Sequence, residues 1–372
     1  MDRALQIVAG LRNFWLQSVI ACLGGAGTGL LNVMGIIMKK LVLAAAVLAI
    51  TAGSAFAADM PAKAFKAPPP APFDPWDLAF GSAIMNDYIF RGITQSNHKP
   101  SVAAYFEPRY NVNKDLQLYI GAAGESISFP NRAAAEIDIY GGIRPTVGMF
   151  AFDFGLWGYL YPGGQCFGSL GATPQGNCGS DIDYGSFPGG LPINGNFAKK
   201  SASFFEGYAK VNITLNDQFQ IGVNEYYSPN FLNLGAWGNY ASVTGKWTAP
   251  GTTLGSSGVG MYISGEFGRQ WLGTSDVFYG IAGTAFAAGI PEPSYNTWNI
   301  GVGFTYKVFT LDLRYSDTNL SKGNCNAFTS DYTAKFDGSF TPINPGGFGS
   351  NWCGAAGIAK LSADLTAMTN LK

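Results

Sequence analysis

A single histidine, His98, lies in the segment Ser96-Asn97-His98-Lys99-Pro100-Ser101, and any hydrolase built on this chain would need it as general base. Ser96 and Ser101 are close by in sequence, and Asp87 is the acid that could orient the imidazole. The flanking Asn97, Lys99 and Pro100 are residues of a solvent-exposed loop, and neither Gly-x-Ser-x-Gly nor His-Glu-x-x-His occurs. The sequence therefore points away from an enzyme, with a His98 hydrolase as the minor alternative. Cys166 and Cys178 share one long Gly-rich stretch, and Cys325 and Cys353 share another. In an oxidising compartment these read as two disulfides, with pairing inside each stretch the simplest of three connectivities. Their spacing matches no common zinc pattern, and no metal is expected. Asp181-Ile182-Asp183 offers carboxylates to a hard cation such as Ca²⁺, although solvated loop acids are the ordinary reading.

A larger set of charges falls on one alternating parity. Arg91, Arg109, Arg144, Lys210, Lys246 and Arg314 stand with Asp87, Glu107, Glu125, Asp138, Asp153, Glu206, Glu266 and Asp312 opposite to neighbouring apolar positions. If that parity faces a lumen, both signs line a water-filled channel whose field filters solutes by size and charge. The competing arrangement is a narrow barrel filled by internal salt bridges. Twelve strands lie between the filled barrels of about eight and the open ones of sixteen.

The elements that must carry these residues are strands. Phe150 to Tyr161 reads Phe-Ala-Phe-Asp-Phe-Gly-Leu-Trp-Gly-Tyr-Leu-Tyr, which sets Phe150, Phe152, Phe154, Leu156 and Leu160 on one face and Asp153, Trp157 and Tyr159 on the other. Soluble β-sandwiches alternate too, so composition has to decide between the two. Charged residues make up 13% of the chain against about 25% in ordinary soluble domains, while Gly (50), Phe (27), Tyr (18) and Trp (8) are plentiful. That balance fits a transmembrane β-barrel, whose outer face meets lipid. The formal net charge of −1 and the lack of a basic patch exclude a nucleic-acid partner, and the length leaves no room for a TonB-dependent plug domain.

Met38-Lys39-Lys40, the apolar run Leu41 to Ile50 and the small-residue site Ala55-Phe56-Ala57 make residues 38–57 a secretory signal peptide cleaved before Ala58. Export followed by a barrel predicts the outer membrane of a Gram-negative bacterium. Residues 1–37 are explained by a start codon set too far upstream, with Met38 or Met34 the true start. An extra N-terminal anchor and a lipidation site at Val19-Ile20-Ala21-Cys22 are weaker, because Arg12, Asn13 and Gln17 break the apolar run. Gly24 to Gly29 lacks the Gly-Lys-Ser/Thr ending of a phosphate loop. Residues 58–75, with Pro68-Pro69-Pro70, form an extended periplasmic linker, and residues 76–372 form the barrel.

The expected strands run over Trp76 to Phe90, Val102 to Val112, Leu116 to Gly124, Glu136 to Thr146 and Phe150 to Tyr161. Ser203 to Leu215, Phe219 to Tyr227, Trp237 to Trp247, Val259 to Phe267, Trp298 to Lys307, Phe309 to Tyr315 and Gly357 to Leu365 complete about twelve, the even number of bacterial barrels. Short connections alternate with long ones at 162–200, 268–296 and 317–356, which places the long ones outside the cell. Val277 to Ala288 is apolar enough for a strand but would make the count odd, so it is assigned to an extracellular loop. Pro108 predicts a bulge or strand end, and Glu225 falls on the apolar parity near an outer rim.

Asp87-Tyr88-Ile89-Phe90-Arg91-Gly92-Ile93-Thr94-Gln95-Ser96, Glu136-Ile137-Asp138-Ile139-Tyr140-Gly141-Gly142 and Tyr159-Leu160-Tyr161-Pro162 resemble the TorF-type porin family, the Gcw family of uncharacterised bacterial outer-membrane proteins. Glu225 to Pro229 and Tyr315 to Thr318 are similar to its later blocks. The resemblance covers most of Trp76 to Leu365 and implies an outer-membrane channel of unestablished substrate, with no catalytic residues. The chain departs from it in long cysteine-bearing loops and in lacking the terminal aromatic common in outer-membrane proteins. The resulting expectation is a porin-like barrel for passive diffusion of small hydrophilic solutes, without cofactor. Its partners would be outer-membrane lipid, lipopolysaccharide and the barrel-assembly machinery. The alternative is a non-conducting structural or adhesive barrel, for which Phe187, Phe197, Phe328, Phe340 and Phe348 would serve as loop contacts.

Overall fold

The computed structural model describes residues 75–168, 174–179, 194–251 and 253–370. The expected start-site extension, signal peptide and nearly all of the linker lie outside these residues, as do Asp181-Ile182-Asp183 and Phe187. Twelve strands build the wall: β1 (Trp76–Met85), β4 (Ser101–Asn113), β5 (Leu116–Ser126), β6 (Ala135–Val147), β7 (Phe150–Leu160), β8 (Phe204–Thr214), β9 (Phe219–Ser228), β10 (Gly238–Thr248), β11 (Gly260–Leu272), β12 (Tyr295–Tyr306), β13 (Phe309–Thr318) and β16 (Ala356–Thr366). Two small hairpins, β2 (Ile89–Phe90) with β3 (Ile93–Thr94) and β14 (Lys335–Phe336) with β15 (Phe348–Gly349), stand apart from it. The wall is a closed antiparallel up-and-down barrel, sealed where β1 pairs with β16 from Ala79↔Thr366 to Met85↔Lys360. Closure leaves no unpaired edge, as hydrocarbon demands.

The barrel is apolar on the outside. Ile139, Leu156, Phe267 and Ile300 are each more than half exposed, an arrangement that lipid stabilises and water does not. Among the described residues no helix is long and apolar enough to cross a membrane, so the crossing is made by strands of 10 to 13 residues. Connections at one end are short, such as 114–115, 148–149 and 307–308, while those at the other include 161–203, 273–294 and 319–355. Val277 to Ala288 falls in the second of these long loops, where it opens with a 3-10 turn, Val277–Tyr279.

The sequence reading is corrected in two places. The first strand ends at Met85, not Phe90; the chain then folds inward as the β2–β3 hairpin. Pro108 is neither a bulge nor a strand end. β4 runs through it in constant register, the β4–β5 ladder simply omits Glu107 and Pro108, and the register shift comes at Asn111–Asn113. The omission is local because proline removes one donor and leaves the extended backbone intact. The last strand lies within one residue of its expected bounds at each end, and β16 passes into a short helix, α2 (Ala367–Asn370). Glu225 does face outward, and Asn239 on β10 donates to its Oε1 at 2.5 Å, so the carboxylate has a partner on the outer surface.

The long loops form a dome with its own core. Phe129, Tyr161, Phe204, Phe231, Phe328 and Trp352 belong to one buried cluster. Helix α1 (Lys322–Thr329) carries Cys325, which is bonded to Cys353, and Cys166 is bonded to Cys178. Both disulfides therefore pair within their own loops. Ring contacts continue the packing, with Phe129 stacked on Tyr161 at 4.4 Å and Tyr159 on Phe204 at 4.5 Å.

Candidate functional site

Alternation along each strand sends every second side chain to the interior. Tyrosines there lie flat on the wall because a glycine stands beside each. Gly121 is opposite Tyr140 and Gly155 is opposite Tyr208, and a methyl group on either glycine would come within 2.7 Å of its ring. Tyr119 over Gly142, Tyr105 over Gly81 and Tyr262 over Gly303 repeat the arrangement. Laid sideways, the rings cover backbone. The sequence reading missed this pattern, although the repeated Gly and Tyr on one parity were its visible signal.

Charges fill two separated stretches of wall. On β4, β6 and β7, Arg144 donates to Glu107 (2.7 and 3.1 Å) and to Asp153 (3.3 Å), and Arg109 donates to Glu107 at 2.6 Å. Tyr119 donates to Asp153 at 2.5 Å beneath the Arg144 guanidinium, which stacks 3.6 Å from its ring centre. On β13, Arg314 donates to Asp312 (3.0 and 2.9 Å), Asn299 (2.5 Å) and Ser264 (2.8 Å). Glu266 accepts from Tyr240 at 2.9 Å, while Lys210 and Lys246 stack over Tyr208 and Tyr262 at 4.4 and 4.6 Å. Against the second stretch lies a polar cavity of about 650 Å³, bordered by Tyr105, Lys246, Asp312, Arg314, Lys360 and Asp364. Two further cavities, of about 220 and 290 Å³, also touch Arg314.

Asp87 and Arg91, assigned above to the wall, sit in the inward segment 86–100. Its tip is a two-residue turn with positive φ at Arg91 (47°) and Gly92 (79°), the geometry of a tight hairpin. Arg91 grips Glu206 of β8 through both carboxylate oxygens (2.9 and 2.7 Å) and Gln270 of β11 at 2.9 Å. Its guanidinium also lies 4.9 and 4.4 Å from the ring centres of Tyr226 and Tyr240. Glu206 and Gln270 are fully buried. One side chain thus ties the hairpin across the outer end of the lumen, and Gln270 was not foreseen.

His98, Asp87 and Ser96 do come together, but not as a catalytic triad. Asp87 accepts from His98 Nδ1 at 2.7 Å, from Ser96 at 3.0 Å and from Thr94 at 2.5 Å. His98 Nε2 faces the Asn351 carbonyl at 3.1 Å, and Ser101 bonds the Ser126 carbonyl at 2.7 Å, so neither serine stands at Nε2. Both ring nitrogens point at acceptors, and only the imidazolium donates to both. The Asp87 bond, helped by the Asn351 carbonyl, raises His98 above its ordinary 6.5 against the opposing effect of burial. The group fastens the inward segment to the loop before β16, where Thr94 N also donates to Trp352 O at 3.0 Å.

Two of the expected lumen residues form no ion pair among the described residues. Glu125 and Asp138 form a cluster with Glu136 at the domed end of β5 and β6.

Residues 70–186 match the model of a bacterial protein family of unknown function, Gcw_chp. No curated protein matches the chain. Among solved structures, a loop-deletion mutant of OmpT, an outer membrane protein of Vibrio cholerae, is similar at 10% identity and a TM-score of 0.32 over 78% of this chain and 100% of that one. LpxR from Salmonella typhimurium gives 8% and 0.34 over 77% and 99%. A Pseudomonas aeruginosa FadL homologue gives 12% and 0.35 over 78% and 89%. The chain is a twelve-strand transmembrane β-barrel, part of which matches an uncharacterised bacterial family.

Proposed function

We propose that the protein is an outer-membrane diffusion channel for small hydrophilic solutes, exported through a cleaved signal peptide and closed at its outer mouth by the 86–100 hairpin. The observation that carries this reading is the polar lumen cavity of about 650 Å³ beneath that hairpin, walled by charges of both signs. A barrel serving only as a surface scaffold has no need of tyrosines held flat against the wall. The two charged stretches would set a transverse field across a passing solute. A second reading, a non-conducting barrel presenting its loops, is favoured by one observation, the packed and disulfide-bonded dome.

Single-channel recording in planar bilayers separates the two. The channel reading expects discrete steps that grow more frequent when the disulfides are reduced, and steady conductance when residues 87–98 are replaced by a short glycine-serine turn. A folded barrel that stays silent in all three states would leave only the presenting role.

A further inference from the structure

Along the barrel wall, among the described residues, one cluster of carboxylates is left without a cation. Glu125 on β5 and Glu136 and Asp138 on β6 offer carboxylate oxygens within 4.8 Å of one another, and Glu136 and Asp138 are 2% and 4% exposed. Among the described residues no arginine or lysine takes part in an ion pair with any of the three, whereas Glu107, Asp153, Glu206 and Asp312 are all paired. Glu136 has a neutral donor, the Tyr88 hydroxyl at 2.8 Å. Asp138 Oδ1 and Glu125 Oε2 are buried with no hydrogen-bond partner. Two buried carboxylates beside a half-buried third, with open lone pairs, are strongly disfavoured without a compensating positive charge.

We propose that Glu125, Glu136 and Asp138 bind a divalent cation of the Ca²⁺ class. Carboxylate oxygens are the donors a hard cation takes, and three oxygens within 4.8 Å of one another fit a coordination shell of roughly 2.4 Å radius. Mg²⁺ asks for a tighter shell of about 2.1 Å and gives up its water reluctantly, so Ca²⁺ is preferred. The ion has a route in, since Glu125 also borders the large polar cavity of the lumen. Tyr88, which holds Glu136, precedes the β2–β3 hairpin, so the ion would sit at the root of the inward segment and favour its docked position. The site concerns binding alone and stands whether or not the barrel conducts.

Terbium luminescence tests this, because the Trp157 indole on β7 lies beside Asp138 and can sensitise a bound Tb³⁺. The chain folded in detergent micelles free of lipopolysaccharide should show Tb³⁺ emission, excited through tryptophan, that Ca²⁺ displaces and Mg²⁺ displaces at least tenfold less well. Asp138→Asn and Glu125→Gln should each weaken Tb³⁺ binding tenfold or more, while Trp157→Phe removes the emission but keeps a Ca²⁺-dependent rise in melting temperature. Emission unaltered by both carboxylate variants, or wild-type protein with neither displaceable emission nor a Ca²⁺ thermal shift, would overturn the proposal and leave a shared proton as the compensating charge.

Discussion

The wall and the dome obey opposite rules with one alphabet. In the wall the large apolar residues are outermost and the charged ones innermost, so Leu156 meets lipid while Asp153, on the same strand, is bonded to Tyr119 and Arg144. In the dome Phe231, Phe328 and Trp352 are inside, as in any water-soluble domain. Burial by itself is therefore not what the sequence encodes; each segment is matched to the solvent it will meet. The inward hairpin belongs to both regions, packing Ile93 into the dome core while Arg91 reaches the wall.

The hardest way to break this division is at that junction. Arg91→Ala leaves Glu206, 0% exposed, without its cation, and removing one partner of a buried pair typically costs about 3–5 kcal/mol. We expect the dome to melt earlier and single-channel openings to lengthen while the barrel's far-ultraviolet spectrum holds. Unchanged melting would show that Arg91 does not secure the hairpin. A milder break acts on the wall alone. Leu156→Arg sets a charge at mid-strand on the lipid face, where the cost is about 2–4 kcal/mol. Urea titration in liposomes should register that loss while hydrogen exchange in 319–355 stays as it was; faster exchange there would deny the independence of the two regions.

The smallest effect sharpens the comparison through pH, since two loop groups respond to it. Burial pushes Glu292, set beside Ser275, up to about 8. Between about 4.5 and 8 the folded dome keeps a proton that the unfolded chain gives up, so dome stability falls as pH rises through that window. His98 adds a contribution that is complete below about 6.5 and fades as pH climbs through its raised folded value. The opening free energy of the dome, taken from hydrogen exchange corrected for the base-catalysed intrinsic rate, should thus fall from acid to alkaline pH, with Glu292→Gln flattening most of that profile and His98→Gln the remainder. A flat profile in the wild-type protein would refute both assignments.

How much of this could be read beforehand follows from what periodicity measures. Period two assigned Glu107, Arg109, Arg144, Asp153 and Arg314 to the interior without knowledge of their partners, because side-chain direction in a strand is fixed by position alone. The same rule failed at Ile89 and Phe90, whose apolar character suits the inside of a dome as well as lipid. Asn86-Asp87 followed by Arg91-Gly92 was the available sign of a turn. The pairing of Arg91 with Glu206 and the bare cluster at Asp138 were not legible, because both depend on which strands close against which. Glu292 and Gln270 drew no attention because nothing in a single sequence marks a lone polar residue as buried.

The seam has a consequence for timing. Because β1 is sealed by β16, the last strand, neither edge is covered until Ala356 to Thr366 has arrived, and a chain stopped short of it carries two raw edges able to pair with anything extended. The Cys325–Cys353 bond closes immediately before that strand begins. Oxidation can thus fix the loop ahead of the seam, so the final strand is delivered to its slot already tethered, and the order of the two events becomes a chronology that pulse-labelling could follow.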